Sequence, residues 1–157
     1  MRRAEISSEL ASLAFDFFYW FSRFEYGLKE LGFLRNRTPG AKAEIAWRCF
    51  FDTWEDRYRL SPSAEALIAA NPQMQVIDHT GADMTFKPLV FSDDHCDLER
   101  VVRLAQAVRN NLFHGGKHGS EFWDDPKRMK QLLPIVIQVL DDIAAQCGFQ
   151  DSYSRYY

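Results

Sequence analysis

Between Ser7 and Leu31 the apolar residues Leu10, Ala14, Phe17, Phe21, Phe24, Leu28 and Leu31 recur at alternating steps of four and three. A helix brings those positions onto one face, where they form an aromatic seam that must be buried against another element. Ser7 or Ser8 is placed to cap its start, and Gly32 with the polar run Arg35 to Gly40 ends it. The same period returns further on. A second helix is expected from about Ala41 to Tyr58, carrying Ile45, Trp47, Phe50, Phe51 and Trp54, and Ser61-Pro62-Ser63 caps a short one over Ala64 to Ala70. Ser92-Asp93-Asp94 precedes a helix from about His95 to His114. Asp125-Pro126 opens the last one, whose stripe is Met129, Leu132, Leu133, Val136, Ile137, Leu140, Ile143 and Ala144, with a kink expected at Pro134.

These segments predict an all-α bundle of four to five principal helices in a single domain spanning 1–157. Residues 71–89 break the pattern. Met74-Gln75-Val76-Ile77 and Met84-Thr85-Phe86 flank Asp78 to Asp83, which reads as a small hairpin or irregular insertion. Phe149 to Tyr157 reads as an aromatic, polar tail that a partner would order.

With 46% hydrophobic residues and 13 Phe in 157, the chain can build a real core. Its net charge of −3 is wrong for a general nucleic-acid coat, so any RNA site has to be a local positive patch. Cys49, Cys96 and Cys147 are odd in number, scattered and in no C-x-x-C pair, as expected of reduced thiols in a cytoplasmic protein. Met1-Arg2-Arg3 followed by Leu13 to Phe21 has the outline of a secretory signal. Glu5, Glu9 and Asp16 interrupt it and no small-residue cleavage site follows, so a soluble chain without a membrane partner is expected.

The helix ending at His114 carries the chemistry. Glu99, Arg103, Gln106, Asn110 and His114 fall near one line at 100° per residue, with Val101, Leu104, Ala105, Val108 and Leu112 opposite. From Arg100 to His118 there are four Arg or Lys and no acid, which marks a local anion site. In Arg109-Asn110-Asn111-Leu112-Phe113-His114-Gly115-Gly116-Lys117, a permanent cation that forks onto phosphate oxygens precedes a side chain able to move protons near neutral pH. The alternative for His114 is a capping group gaining from the negative helix end. Arg109 lies about 140° from His114 around an ideal helix, so one helix does not aim both at one point. Two copies meeting across a two-fold axis would.

This R-x4-H signature, with asparagine after the arginine and glycine after the histidine, resembles the HEPN superfamily. The run Arg23-Phe24-Glu25-Tyr26-Gly27-Leu28-Lys29 is similar to the first helix of its prokaryotic members. The resemblance implies a HEPN-like bundle, a homodimer with a composite site, and metal-independent endoribonuclease activity in a toxin or defence role, held in check by an antitoxin or other regulatory protein. Arg109, His114 and Asn110 would be catalytic, and Arg103, Gln106, Asn111, Lys117 and His118 would contact the RNA. The alternative function is a non-catalytic HEPN module that binds RNA, a nucleotide or a partner protein.

Neither a metal nor another cofactor is expected. His114 and His118 are four apart, but Gly115-Gly116 breaks the helix that would converge them, and no Glu-x-x-His or glycine-rich phosphate loop is present. His95-Cys96 among Asp93, Asp94 and Asp97 reads as a capped helix start. Arg23, Glu25 and Lys29 read as a surface ion-pair ladder, with Glu25 also able to orient the site.

Overall fold

The computed structural model describes residues 7–114 and 126–155. Among them are six helices and one two-stranded sheet: α1 (Ser8–Glu30), α2 (Trp47–Trp54), α3 (Pro62–Ala70), β1 (Gln73–Ile77), β2 (Met84–Pro88), α4 (Asp97–His114), α5 (Pro126–Gln146) and α6 (Gln150–Ser154). The fold is mostly helical.

The Ser7 hydroxyl accepts the backbone N–H of Leu10 and so caps α1, as its spacing predicts. Phe17, Phe21, Phe24 and Leu28 of the seam are buried, each such aromatic contributing about 1.5–3 kcal/mol. They meet α5, the central element, which packs against α1, α3, α4 and α6 through Leu132, Leu133, Val136, Leu140 and Ile143. Helical structure runs through Pro134 without interruption. The expected core side of α4 is also in place, with Val101, Leu104, Ala105 and Val108 buried.

Three expectations give way. The segment from Ala41 is not helical until Trp47, because Ile45 is used in an isolated antiparallel bridge to Leu34. Arg35 N–H donates to Glu44 O at 2.9 Å and Ala46 N–H to Phe33 O at 2.9 Å, so residues 33–46 fold back as a wide loop, with Gly40 at φ +83°. Arg23 is no surface rung. It is buried, and its Nε donates to Tyr153 O at 3.1 Å while its Nη2 donates to Ser152 O. That contact explains the third difference: residues 149–155 are not a loose tail but are packed onto α1. Phe149 and Tyr153 are core residues, and the Phe149 ring sits edge-on to Phe24 at 5.3 Å.

The insertion at 71–89 is a regular hairpin, Gln73 pairing with Pro88 and Ile77 with Met84. Asp78 shapes its turn by accepting from Thr80 N–H at 3.0 Å, and the Thr80 hydroxyl holds the Asp78 carboxyl below its ordinary range. Among the described residues no helix is long and apolar enough to cross a membrane.

Candidate functional site

Arg109 stands on the face of α4 that turns toward α1. Its Nη2 donates to Glu25 Oε1 at 3.1 Å, and its guanidinium lies over the Phe21 ring, 5.1 Å from the centroid. Both ends of this pair are partly open to solvent, at 31% and 28% side-chain exposure. The Arg109 Nε is buried and finds no acceptor among the described residues. Among the described residues one guanidinium nitrogen is therefore committed to a carboxylate, an aromatic face fixes the plane, and Nη1 remains as donor capacity.

The group opens into a cavity of about 280 Å³ lined by Phe18, Phe21, Ser22, Glu25, Arg109 and Phe113. Phe18 and Phe113 close one side, edge to face at 5.4 Å. The α1 residues follow from helical spacing, since 18, 21, 22 and 25 return to one flank of the helix. Phe15 and Phe18 continue that flank outward, at 65% and 51% exposure, beyond what the internal seam requires.

The other predicted residues separate into groups. Asn110 is exposed one position beyond Arg109, and Gln106, one turn before it, is half-buried. His114 is the last residue of α4, and Lys117 and His118 lie outside the described residues. Asn111 has a structural partner: its Nδ2 donates to Gln73 O at 2.6 Å, docking the hairpin on α4.

Arg103 is held by Glu99, with Nη2 at 2.6 Å and Nε at 2.9 Å from Oε1. Glu99 itself departs from the expected solvent-facing stripe. It is only 3% exposed and also faces Arg48 Nη1 at 3.7 Å and His95 Nε2 at 3.5 Å. A buried carboxylate needs such partners, so this cluster ties α2 to the start of α4. Because His95 Nδ1 accepts from Ser92 N–H at 3.0 Å, its ring proton resides on Nε2, toward Glu99. His95 thus belongs to a capped helix start.

Residue-by-residue reading of the sequence found Arg109 and named Glu25 as a possible orienting group, but missed the aromatic walls Phe18, Phe21 and Phe113. The available signal was the surplus of apolar residues on α1 outside the seam. Comparison of the chain with protein-family models, with curated proteins and with solved structures finds no match in any of the three.

Proposed function

We propose that the chain is a metal-independent endoribonuclease whose site is built around Arg109, His114 and Asn110, in a homodimer that brings Arg109 of one protomer beside His114 of the other. The observation that carries this reading is Arg109 itself. It is a permanent cation clamped by Glu25 and Phe21 at the mouth of a cavity, with donors left over for a phosphate. Oriented donors of this kind stabilise charge that develops in a transition state. The exposed Phe18 and Phe113 that line the cavity, with the exposed Phe15 on the same helix as Phe18, suit a self-complementary apolar interface. The R-x4-H resemblance to HEPN proteins, and with it a toxin or defence role under an antitoxin, belongs to the same proposal.

RNA carries its own nucleophile. The 2′-oxygen attacks phosphorus as its proton passes to a base, the P–O5′ bond breaks, and the departing 5′-oxygen takes up a proton. The products end in 2′,3′-cyclic phosphate and 5′-hydroxyl. His114 serves one of the two proton transfers, Arg109 neutralises the phosphorane, and Asn110 orients phosphate or imidazole. DNA lacks the 2′-hydroxyl and resists.

The test is labelled RNA incubated in EDTA, with product ends analysed. His114→Ala should slow cleavage by about 10²–10⁴-fold. Arg109→Ala should lose a similar factor, and Arg109→Lys should recover little because lysine keeps charge without the fork. A parent protein inactive on varied RNAs, or a His114→Ala variant as fast as the parent, would leave the non-catalytic binding module as the better reading.

A further inference from the structure

Glu25 lines a second cleft on its other side. This cleft, of about 390 Å³, runs from α1 to the folded-back loop at residues 33–46, and Lys29, Arg35, Lys42, Glu44 and Trp47 line it with Glu25. Its size is that of a small-ligand pocket. Three cations face two carboxylates there, and one of those carboxylates, Glu25, is already paired with Arg109. Lys29 is one helical turn beyond Glu25, about 6 Å along the axis.

The remaining internal partner is weakly held. Glu44 receives Lys42 Nζ at 3.0 Å and Arg35 Nη1 at 3.4 Å, and both cations are largely in solvent, at 85% and 75% exposure. Pairs of this type contribute little and can exchange for phosphate oxygens. Trp47 supplies the apolar part. Its ring is stacked on Phe51, with an interplanar angle of 25°, and is thereby held as a fixed surface. A backbone-tracking group of cations beside an aromatic surface is the pattern that binds single strands without reading sequence.

We propose that this cleft is a subsite for single-stranded RNA, taking the phosphate and base of a nucleotide adjacent to the one held at Arg109. Lys29, Arg35 and Lys42 engage the phosphate and Trp47 stacks the base. The subsite rests on the ribonuclease reading only for the identity of the neighbouring site. Because Glu25 is shared, RNA bound in the cleft runs directly into the Arg109 cavity.

Two measurements test it. In the first, the His114→Ala protein binds a fluorescent single-stranded RNA of about a dozen nucleotides, followed by anisotropy across a salt series. Adding Lys29→Gln with Lys42→Gln should weaken binding about tenfold or more and reduce the salt slope by about 1.4, the effect of two lost contacts to a single strand. Trp47→Ala should weaken it about tenfold while Trp47→Phe, which keeps the ring, retains most of the affinity. Lys87→Gln, on the hairpin, should leave binding unchanged. In the second, cleavage of the longer RNA is compared with that of a dinucleotide, and the double lysine variant should fall further behind the parent on the longer substrate.

Unchanged affinity and slope in the lysine variant would overturn the proposal. So would an equal loss in Lys87→Gln, a Trp47→Phe variant as weak as Trp47→Ala, or equal cleavage losses at both lengths. If no RNA is cleaved yet binding falls as described, the nuclease reading fails and the subsite stands.

Discussion

Replacing Glu25 by glutamine tests whether this carboxylate positions Arg109 or merely neutralises it. The side chain keeps its shape, and only its charge is lost. At the 3.1 Å separation of the pair, the gross Coulomb attraction is about 1.3 kcal/mol in water and about 5 kcal/mol at a surface-like dielectric. Desolvation and side-chain ordering offset most of that. Since both partners are about one-third exposed, the net contribution should not exceed about 1 kcal/mol. For a chain of this size that lowers Tm by about 2–4 °C and leaves the protein essentially all folded at 25 °C. The catalytic effect should be larger. Release of the guanidinium from its clamp misplaces it by a side-chain fluctuation, and a displacement of about 1 Å can cost about 10²-fold in rate. The expected result is therefore a 10- to 100-fold slower cleavage beside a small Tm change, with no further loss when Glu25→Gln is added to Arg109→Ala. The assay is single-turnover RNA cleavage run in parallel with thermal unfolding. A Glu25→Gln protein that cleaves within about twofold of the parent, while Arg109→Ala is impaired, would refute the positioning role. A Tm loss beyond about 8 °C would show that the pair is chiefly structural.

Two further outcomes depend on the core. A Cβ added at Gly27 would lie 3.0 Å from the Phe149 ring, so Gly27→Ala should destabilise by about 1–2 kcal/mol, measured by urea unfolding, despite alanine's better helix propensity. Cys147 is buried and its thiol is pushed up to about 12 by burial, whereas Cys49 is exposed. Iodoacetamide at pH 8 followed by mass spectrometry should label Cys49 in the folded protein, and Cys147 only after denaturation.

The helical parts of the fold were legible where one face of a segment did one job. The α1 seam, the Ser7 cap, the α3 start at Ser61-Pro62 and the core side of α4 all follow from period and capping chemistry. Legibility failed where a residue's partner is distant in sequence. Ile45 looks helical by spacing, but its bridge to Leu34 decides the local backbone. Arg23 looks like a surface charge until the carbonyls of Ser152 and Tyr153 arrive some 130 positions later. Glu99 sits on a polar stripe, yet it is buried and Arg48 reaches it from another helix. In the candidate site, residue chemistry pointed to Arg109. The cavity around it is assembled from α1 aromatics and Phe113 of α4, which the sequence signals only through the surplus of apolar residues outside the α1 seam.

The latch between Arg23 and the carbonyls of Ser152 and Tyr153 sets an order of events during synthesis. The principal partners of α1, α5 and α6, lie late in the chain. With about 120 residues between the end of α1 and the start of α6, translation at 5–20 residues per second imposes a delay of roughly 6–24 s. Through that interval the Phe17, Phe21, Phe24 and Leu28 face lacks part of its cover, α5 being made before α6, so the nascent chain presents an incompletely buried aromatic helix to the ribosome surface and to chaperones. The clamp on Arg109 stands on the same helix. The buried side of the helix that clamps Arg109 is therefore completed only when α5 and α6 have been made.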